Sequence, residues 1–198
     1  MKKVIVHLLD VNDLDFSSLS SSVYTNENDV KAAKKFSFLL DQKEHLASSY
    51  FKNKYVGEYH LNDNGKPISD KCFFNISHSH GVVVFVMDDN YSVGVDIEKV
   101  KPVEEDFKIF VCSDEEYKAL NSEKDFYKIW TNKESLVKCC GTGINQKPVN
   151  IPGIPLNSKR IYQHKIYQSR ILEYNDYIIS VSLETAEEFE ISIIKENL

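Results

Sequence analysis

Apolar residues recur along this chain with two different spacings, and the changes between them divide it into elements. Runs at 4–9, 72–76, 82–87 and 91–97 are rich in β-branched and aromatic residues and bounded by turn formers, so they predict strands. Asp88-Asp89-Asn90, between the last two, reads as a hairpin turn. From 28 to 55 the spacing is helical: Leu46 and Tyr50, then Phe51 and Tyr55, stand four apart with no Gly or Pro in between, and two helices broken near Asp41 fit. The serine-rich stretch 17–22 reads as a solvated loop. Asn62-Asp63-Asn64-Gly65-Lys66-Pro67 is a turn signal, because Asn, Asp and Gly tolerate the left-handed region and Pro stops a helix.

The second part of the chain opens with two helix starts. Ser113 with Glu116 three residues on makes a capping box, and Ser122 precedes a periodic run over 123–140 that Gly141-Thr142-Gly143 ends. Pro148, Pro152 and Pro155 mark an irregular loop, after which 161–167, 171–174, 177–183 and 190–194 read as strands of a closing antiparallel sheet. Strands and helices are segregated rather than strictly alternating, which predicts an α+β fold over a doubly wound sheet.

Composition narrows the partners. Of 198 residues, 42% are hydrophobic, enough to bury a core and to exclude wholesale disorder. A net charge of -6 gives no basic footprint for nucleic acid. No apolar run approaches the roughly 20 residues that span a bilayer, and the apolar run after Met1-Lys2-Lys3 is shorter than the core of a signal peptide, so no membrane partner is expected. Cys72, Cys112, Cys139 and Cys140 lack C-x-x-C spacing and read as reduced thiols, which points to a cytoplasmic protein.

Chemistry concentrates in three short segments. In Val93-Gly94-Val95-Asp96-Ile97-Glu98, strand alternation sends Val93, Val95 and Ile97 to one face and Gly94, Asp96 and Glu98 to the other. Two adjacent carboxylates repel and raise one pKa unless a positive group neutralises them, and a hard divalent cation does so with oxygen ligands. An ordinary strand with its polar face in water is an equal reading of these six residues alone. On the long helix, Trp130, Glu134 and Lys138 form one stripe at i, i+4 and i+8, where a surface Glu–Lys pair is the bland alternative. Three carboxylates with a lysine suit Mg²⁺ and phosphoryl transfer. Asn75-Ile76-Ser77-His78-Ser79-His80 ends a strand with hydroxyls and imidazoles able to donate to phosphate oxygens. His-x-His also suggests zinc, but no third nitrogen or sulfur ligand stands at a recognisable spacing. Neither G-x-x-x-x-G-K nor G-x-G-x-x-G occurs.

Together these segments resemble the 4′-phosphopantetheinyl transferases of the surfactin-synthetase-activating type. The resemblance rests on Gly65-Lys66-Pro67 leading to Phe74-Asn75-Ile76-Ser77-His78-Ser79, on the 93–98 segment, and on Trp130-Thr131-Asn132-Lys133-Glu134-Ser135-Leu136-Val137-Lys138 with Gly141-Thr142-Gly143. It implies that Asp96, Glu98 and Glu134 bind Mg²⁺ with the pyrophosphate of coenzyme A, and that Lys66, Ser77 and His78 contact its phosphates. Glu134 would act as base, Lys138 would balance charge on the leaving phosphate, and Lys133 would assist. The implied reaction moves the phosphopantetheine arm to a serine of an apo acyl or peptidyl carrier protein and releases adenosine 3′,5′-bisphosphate. A non-catalytic coenzyme A or carrier-protein binding module of the same fold is the alternative.

The resemblance further implies two similar α+β halves in pseudo-twofold arrangement, divided here as 1–90 and 91–198, with the site between them and a monomer sufficient. It also leads one to expect basic residues in the first helical region for the 3′-phosphate. Lys34, Lys35 and Lys43 stand there, while Glu44 occupies a position where a basic residue is expected.

Overall fold

A computed structural model describes residues 1–63, 65–143 and 147–198; Asn64 of the expected turn lies outside the described residues. In chain order the elements are β1 (Lys2–Asp10), α1 (Phe16–Ser20), α2 (Glu27–Ala33), α3 (Leu39–Phe51), β2 (His60–Leu61), β3 (Pro67–Ile68), β4 (Phe73–Ser79), β5 (Val82–Asp88) and β6 (Val93–Lys99). There follow α4 (Glu105–Val111), α5 (Asp114–Lys118), α6 (Glu123–Cys140), β7 (Lys159–Tyr162), β8 (Lys165–Tyr174), β9 (Tyr177–Leu183) and β10 (Phe189–Lys195). The fold is α+β, as the segregation of elements predicts.

Two four-stranded sheets, ordered β10-β1-β5-β4 and β6-β9-β8-β7, carry the architecture. They face each other across one core, because alternate residues of each strand point inward: Val4, Val6 and Leu8 from β1, Val82, Val84 and Val86 from β5, Val93, Val95 and Ile97 from β6, Ile179 and Val181 from β9. The outer face of the first sheet, with Val83 and Phe85, packs on Leu19 of α1, Ala33 of α2 and Leu46, Tyr50 and Phe51 of α3. The outer face of the second sheet carries α6. The layers therefore run helices, sheet, sheet, helix.

Four expectations change. Strands β5 and β6 form no hairpin; they lie in different sheets. Asp88 turns the chain instead, its carboxylate accepting from the amides of Asn90 and Tyr91 and pairing with Lys2 at 2.8 Å. The hairpin of the first sheet is β4–β5, turning at His80-Gly81, both of positive φ. The run 161–167 is broken at Gln163-His164, also of positive φ, into β7 and β8. Finally, β10 does not close the second sheet but crosses back to pair in parallel with β1, so residues 189–195 join the sheet of the first 90 residues. The serine-rich stretch forms α1 rather than a loop because Leu19 plugs the core beneath it.

Helix α6 has the expected bounds. The Ser122 side chain accepts from the Asp125 amide at its start, and Gly141 takes the left-handed conformation at its end. The capping box of Ser113 and Glu116 opens only the short α5, and the break in the first helical region falls at 34–38, ahead of Asp41.

Candidate active site

The site forms where the edge strands β4 and β6 of the two sheets meet. An edge strand leaves alternate backbone groups unpaired, and side chains of β4 reach across to β6. Asn75 Oδ1 accepts from the Val95 amide at 2.9 Å, Ser77 Oγ donates to Asp96 Oδ1 at 2.9 Å, and Ser79 Oγ donates to Glu98 Oε2 at 2.9 Å while accepting from the Lys99 amide at 3.2 Å. Period two on both strands makes this ladder possible, since Asn75, Ser77 and Ser79 share one face of β4.

Helix α6 completes the site from the other side, packed so closely that a Cβ at Gly94 would fall into the Ser135 carbonyl and the Cys139 amide. The space that the missing side chain of Gly94 leaves beside the carboxylates is thus filled by the helix itself. Hydroxyl contacts sustain the approach: Thr131 to Ser180 at 2.6 Å and Ser135 to Ser182 at 2.8 Å. The consequence is that Lys138 Nζ lies 2.5 Å from Asp96 Oδ1 and 3.0 Å from Ser77 Oγ.

Ile76, Ser77, His78, Asp96, Glu98, Trp130, Glu134 and Lys138 line one cavity of about 300 Å³. A second, of about 290 Å³, shares Glu134 and Lys138 and extends past Asn75, Val137 and the Gly65-Lys66-Pro67 turn to Gly141 and Gly143. Lys66 bends over the end of α6, donating to the Cys139 carbonyl at 2.9 Å. Burial pushes the Lys66 ammonium pKa down. Seven of the eight residues singled out from the sequence therefore converge on adjoining cavities.

Lys133 is the exception: it does not reach the cavities, so the assisting role at the coenzyme A phosphate that the resemblance implies for it does not fit its place in the fold. Only 1% exposed, its ammonium donates to Glu116 Oε2 at 2.6 Å and to the carbonyls of Val111 and Pro148 at 2.7 and 3.0 Å, and it lines neither cavity. All three of its protons are taken by the fold.

The cavity is crowded with acid. Burial and the neighbouring Asp96 charge push Glu134 up to about 7 and also raise Glu98. Asp96 Oδ2 is buried without a hydrogen-bond partner among the described residues. Among those residues no group of three His, Cys, Asp or Glu is already gathered tightly enough to hold a metal ion. What the three carboxylates share is a cavity wall.

At the rim, His78 Nδ1 lies 3.0 Å from Glu44 Oε2, and Glu44 Oε1 accepts from the Gly81 amide at 2.7 Å. This contact raises the His78 pKa and outweighs its burial. Glu44 is therefore built into the β4–β5 turn. Lys43 points elsewhere, donating to the carbonyls of Asn12 and Leu14. Sequence reasoning missed Asn75, although the polar alternation Asn75, Ser77, Ser79 carried the signal, and it missed the Glu44–His78 pair, which no spacing announces.

A family model described as the 4′-phosphopantetheinyl transferase superfamily matches residues 92–191, the span that contains Asp96, Glu98, Glu134 and Lys138. The chain belongs to this superfamily. Curated relatives agree: a 4′-phosphopantetheinyl transferase of Bacillus pumilus is 32% identical over 58% of this chain and 57% of its own length. One from Aneurinibacillus migulanus is 36% identical over 50% of this chain and 41% of its own. The transferase Sfp of Bacillus subtilis is 33% identical over 61% and 54%. The matched part of the chain spans about half the length of these curated relatives. No helix among the described residues is long and apolar enough to cross a membrane.

Proposed function

We propose that the protein transfers the 4′-phosphopantetheine arm of coenzyme A to a serine hydroxyl of an apo acyl or peptidyl carrier protein, releasing adenosine 3′,5′-bisphosphate. The observation that carries this reading is the meeting of Ser77, Asp96, Glu98, Glu134 and Lys138, from three elements of a chain in this superfamily, on one cavity. In the transfer, the serine oxygen forms a bond to phosphorus, the pyrophosphate P–O bond breaks, and the electron pair leaves with the departing phosphate. Glu134 accepts the serine proton, directly or through water. Lys138 presents its ammonium to the phosphate oxygens where negative charge grows, and Ser77 holds Asp96 beside it through the proton it donates to Oδ1. Lys66 lies along the adjoining cavity to hold the rest of the donor.

The residues fit a hard divalent cation: three carboxylates face one cavity, two have pKa values raised by burial and by the neighbouring Asp96 charge, and Asp96 keeps a buried oxygen without a partner among the described residues. Asp96, Glu98 and Glu134 would hold Mg²⁺, which when bound neutralises the pyrophosphate and polarises the attacked phosphorus. Two facing sheets, each with helices on its outer side, support the reading of two related α+β halves, with β10 exchanged between them. A monomer acting in the cytoplasm suffices for this arrangement, because both halves lie in one chain.

The test is incubation with coenzyme A, Mg²⁺ and a panel of apo carrier proteins. A carrier that gains the mass of one phosphopantetheine arm supports the reading. No mass gain on any carrier, with coenzyme A still bound, would favour a binding module instead.

A further inference from the structure

We propose that Ser180 and Ser182 of β9 are positioning residues for the transfer: through Thr131 and Ser135 their hydroxyls fix the height and rotation of α6 over β6, and so set Glu134 and Lys138 against Asp96. The inference rests on the transferase reading above and concerns the same site from behind. Every α6 residue that lines the Asp96 cavity is the immediate neighbour of one that faces the sheet: Trp130 precedes Thr131, Glu134 precedes Ser135 and Lys138 precedes Cys139. Adjacent helix positions lie about 100° apart around the axis. A stripe that grips the sheet therefore dictates where the next stripe points.

The grip is made of small polar groups. On β9, Ser182 stands opposite Gly94 and Ser180 opposite Asp96, and on β8 Ser169 stands opposite Ser182. Thr131, Ser135, Ser169, Ser180 and Ser182 are all fully buried. Each hydroxyl has one proton, which settles the direction of two hydrogen-bond chains. Thr131 donates to the Tyr127 carbonyl at 2.8 Å, so Ser180 donates to Thr131. Ser135 donates to the Asn132 carbonyl at 3.1 Å, so Ser182 donates to Ser135, and Ser169 to Ser182 at 2.9 Å. Both chains run from the sheet into the backbone of the helix. Cys139 finishes the stripe, its thiol donating to the Ser92 carbonyl at 3.0 Å. Apolar contacts tolerate sliding, whereas hydrogen bonds hold only a narrow range of distance and angle. Anchors in the rows of Gly94 and Asp96 thus hold α6 at the level where Glu134 and Lys138 act, and a displacement of about 1 Å at reacting groups costs about 100-fold in rate.

Thr131→Val keeps the shape of the side chain but removes its bond to Tyr127 and strands the Ser180 hydroxyl, while Thr131→Ser keeps both contacts. The full chain is assayed for steady-state transfer from coenzyme A to an apo carrier with Mg²⁺. Alongside it, the fluorescence of Trp130 is recorded; this is the single tryptophan of the chain, packed edge-on against Phe107 at 5.6 Å, and it reports the seating of α6. In Thr131→Val, kcat is expected to fall at least about tenfold while KM for coenzyme A changes less than about threefold. Trp130 emission and its quenching by acrylamide should shift with it, and Thr131→Ser should restore both. A folded Thr131→Val protein with the parent's kcat or the parent's Trp130 signal overturns the proposal, as does a loss confined to KM or one that Thr131→Ser leaves unrepaired. If Thr131→Val does not fold, Ser180→Ala and Ser182→Ala, which remove only the donors on β9, carry the same expectations and are judged the same way. A parent chain that transfers to no carrier sinks the transferase reading, and the Trp130 signal still judges the seating of α6.

Discussion

Two lysine–carboxylate pairs on α6 have nearly the same contact and opposite roles. Lys138 lies 2.5 Å from Asp96 and Lys133 lies 2.6 Å from Glu116. Five residues separate the lysines, which turns the second about 140° around the helix axis from the first. That rotation sends Lys138, 29% exposed along its side chain, to the cavity between the sheets, and seals Lys133 among α5, α6 and the loop after Lys147. Glu116 finishes the sealed node by accepting from the amides of Ser113 and Gly153. Every polar atom of the lysine in that node is satisfied, whereas the Asp96 site keeps a carboxylate oxygen without a partner among the described residues. Completeness marks a pair that holds the fold, and incompleteness marks one that waits for a ligand.

The comparison is broken most severely at the sealed pair. Lys133→Ala strands a buried carboxylate and should cost about 3–5 kcal/mol of stability, measured by denaturant unfolding, with transfer per folded molecule little changed. A stable Lys133→Ala protein that has lost transfer would return Lys133 to the site. Asp96→Asn should do the reverse: transfer falls by about 10²–10³-fold while the unfolding midpoint moves little, because repulsion with Glu98 and Glu134 is relieved as the Lys138 contact is lost. Undiminished turnover in that variant would contradict its placing at the reaction. Gly94→Ala couples the two regions, since the added methyl pushes α6 from β6; a cost of about 1–3 kcal/mol together with reduced transfer is expected.

A smaller effect sharpens the comparison from outside α6. Glu196, just past β10, is contacted by Lys54 at 2.7 Å, Tyr55 at 2.6 Å and His7 at 2.8 Å. Burial pushes its carboxyl up, but these hydrogen bonds pull it down to about 2. A depressed folded value means that the contribution is fully present above the ordinary value of 4.5 and is lost as pH falls from there toward about 2. Glu196→Gln should therefore cost about 1–3 kcal/mol at neutral pH, and the gap from the parent in thermal or denaturant unfolding should close across that acid window. A gap independent of pH would mean that packing, not the charge, anchors β10.

Local rules were legible where a few neighbouring residues settle them. Ser122 and Gly141 mark both ends of α6, because capping and left-handed termination involve only adjacent backbone. The alternation in 93–98 places Asp96 and Glu98 together, and the four-residue stripe adds Glu134 and Lys138. The hairpin expected at Asp88-Asp89-Asn90 failed because the same Asx geometry serves a crossing between sheets as well as a reversal. The return of β10 to β1 depended on which strand was left with an open edge, and the split of 161–167 on a tight turn at Gln163-His164 that no Gly or Pro announces. Lys133 lies in the same motif as Glu134, so its motif position could not distinguish a ligand contact from a core ion pair.

The sequence by itself determined the periodicities: which residues share a strand face or a helix stripe, where helices start and stop, and that acid, hydroxyl and amine groups recur on those faces. Tertiary structure alone decided that the polar face of β4 meets the polar edge of β6, that one lysine of α6 reaches the cavity while the other is sealed, and that Glu44 compensates His78. The reason is range. Backbone periodicity acts over one turn or two residues, whereas these pairings join residues separated by 17 to 42 positions, and the packing of whole sheets sets their distances.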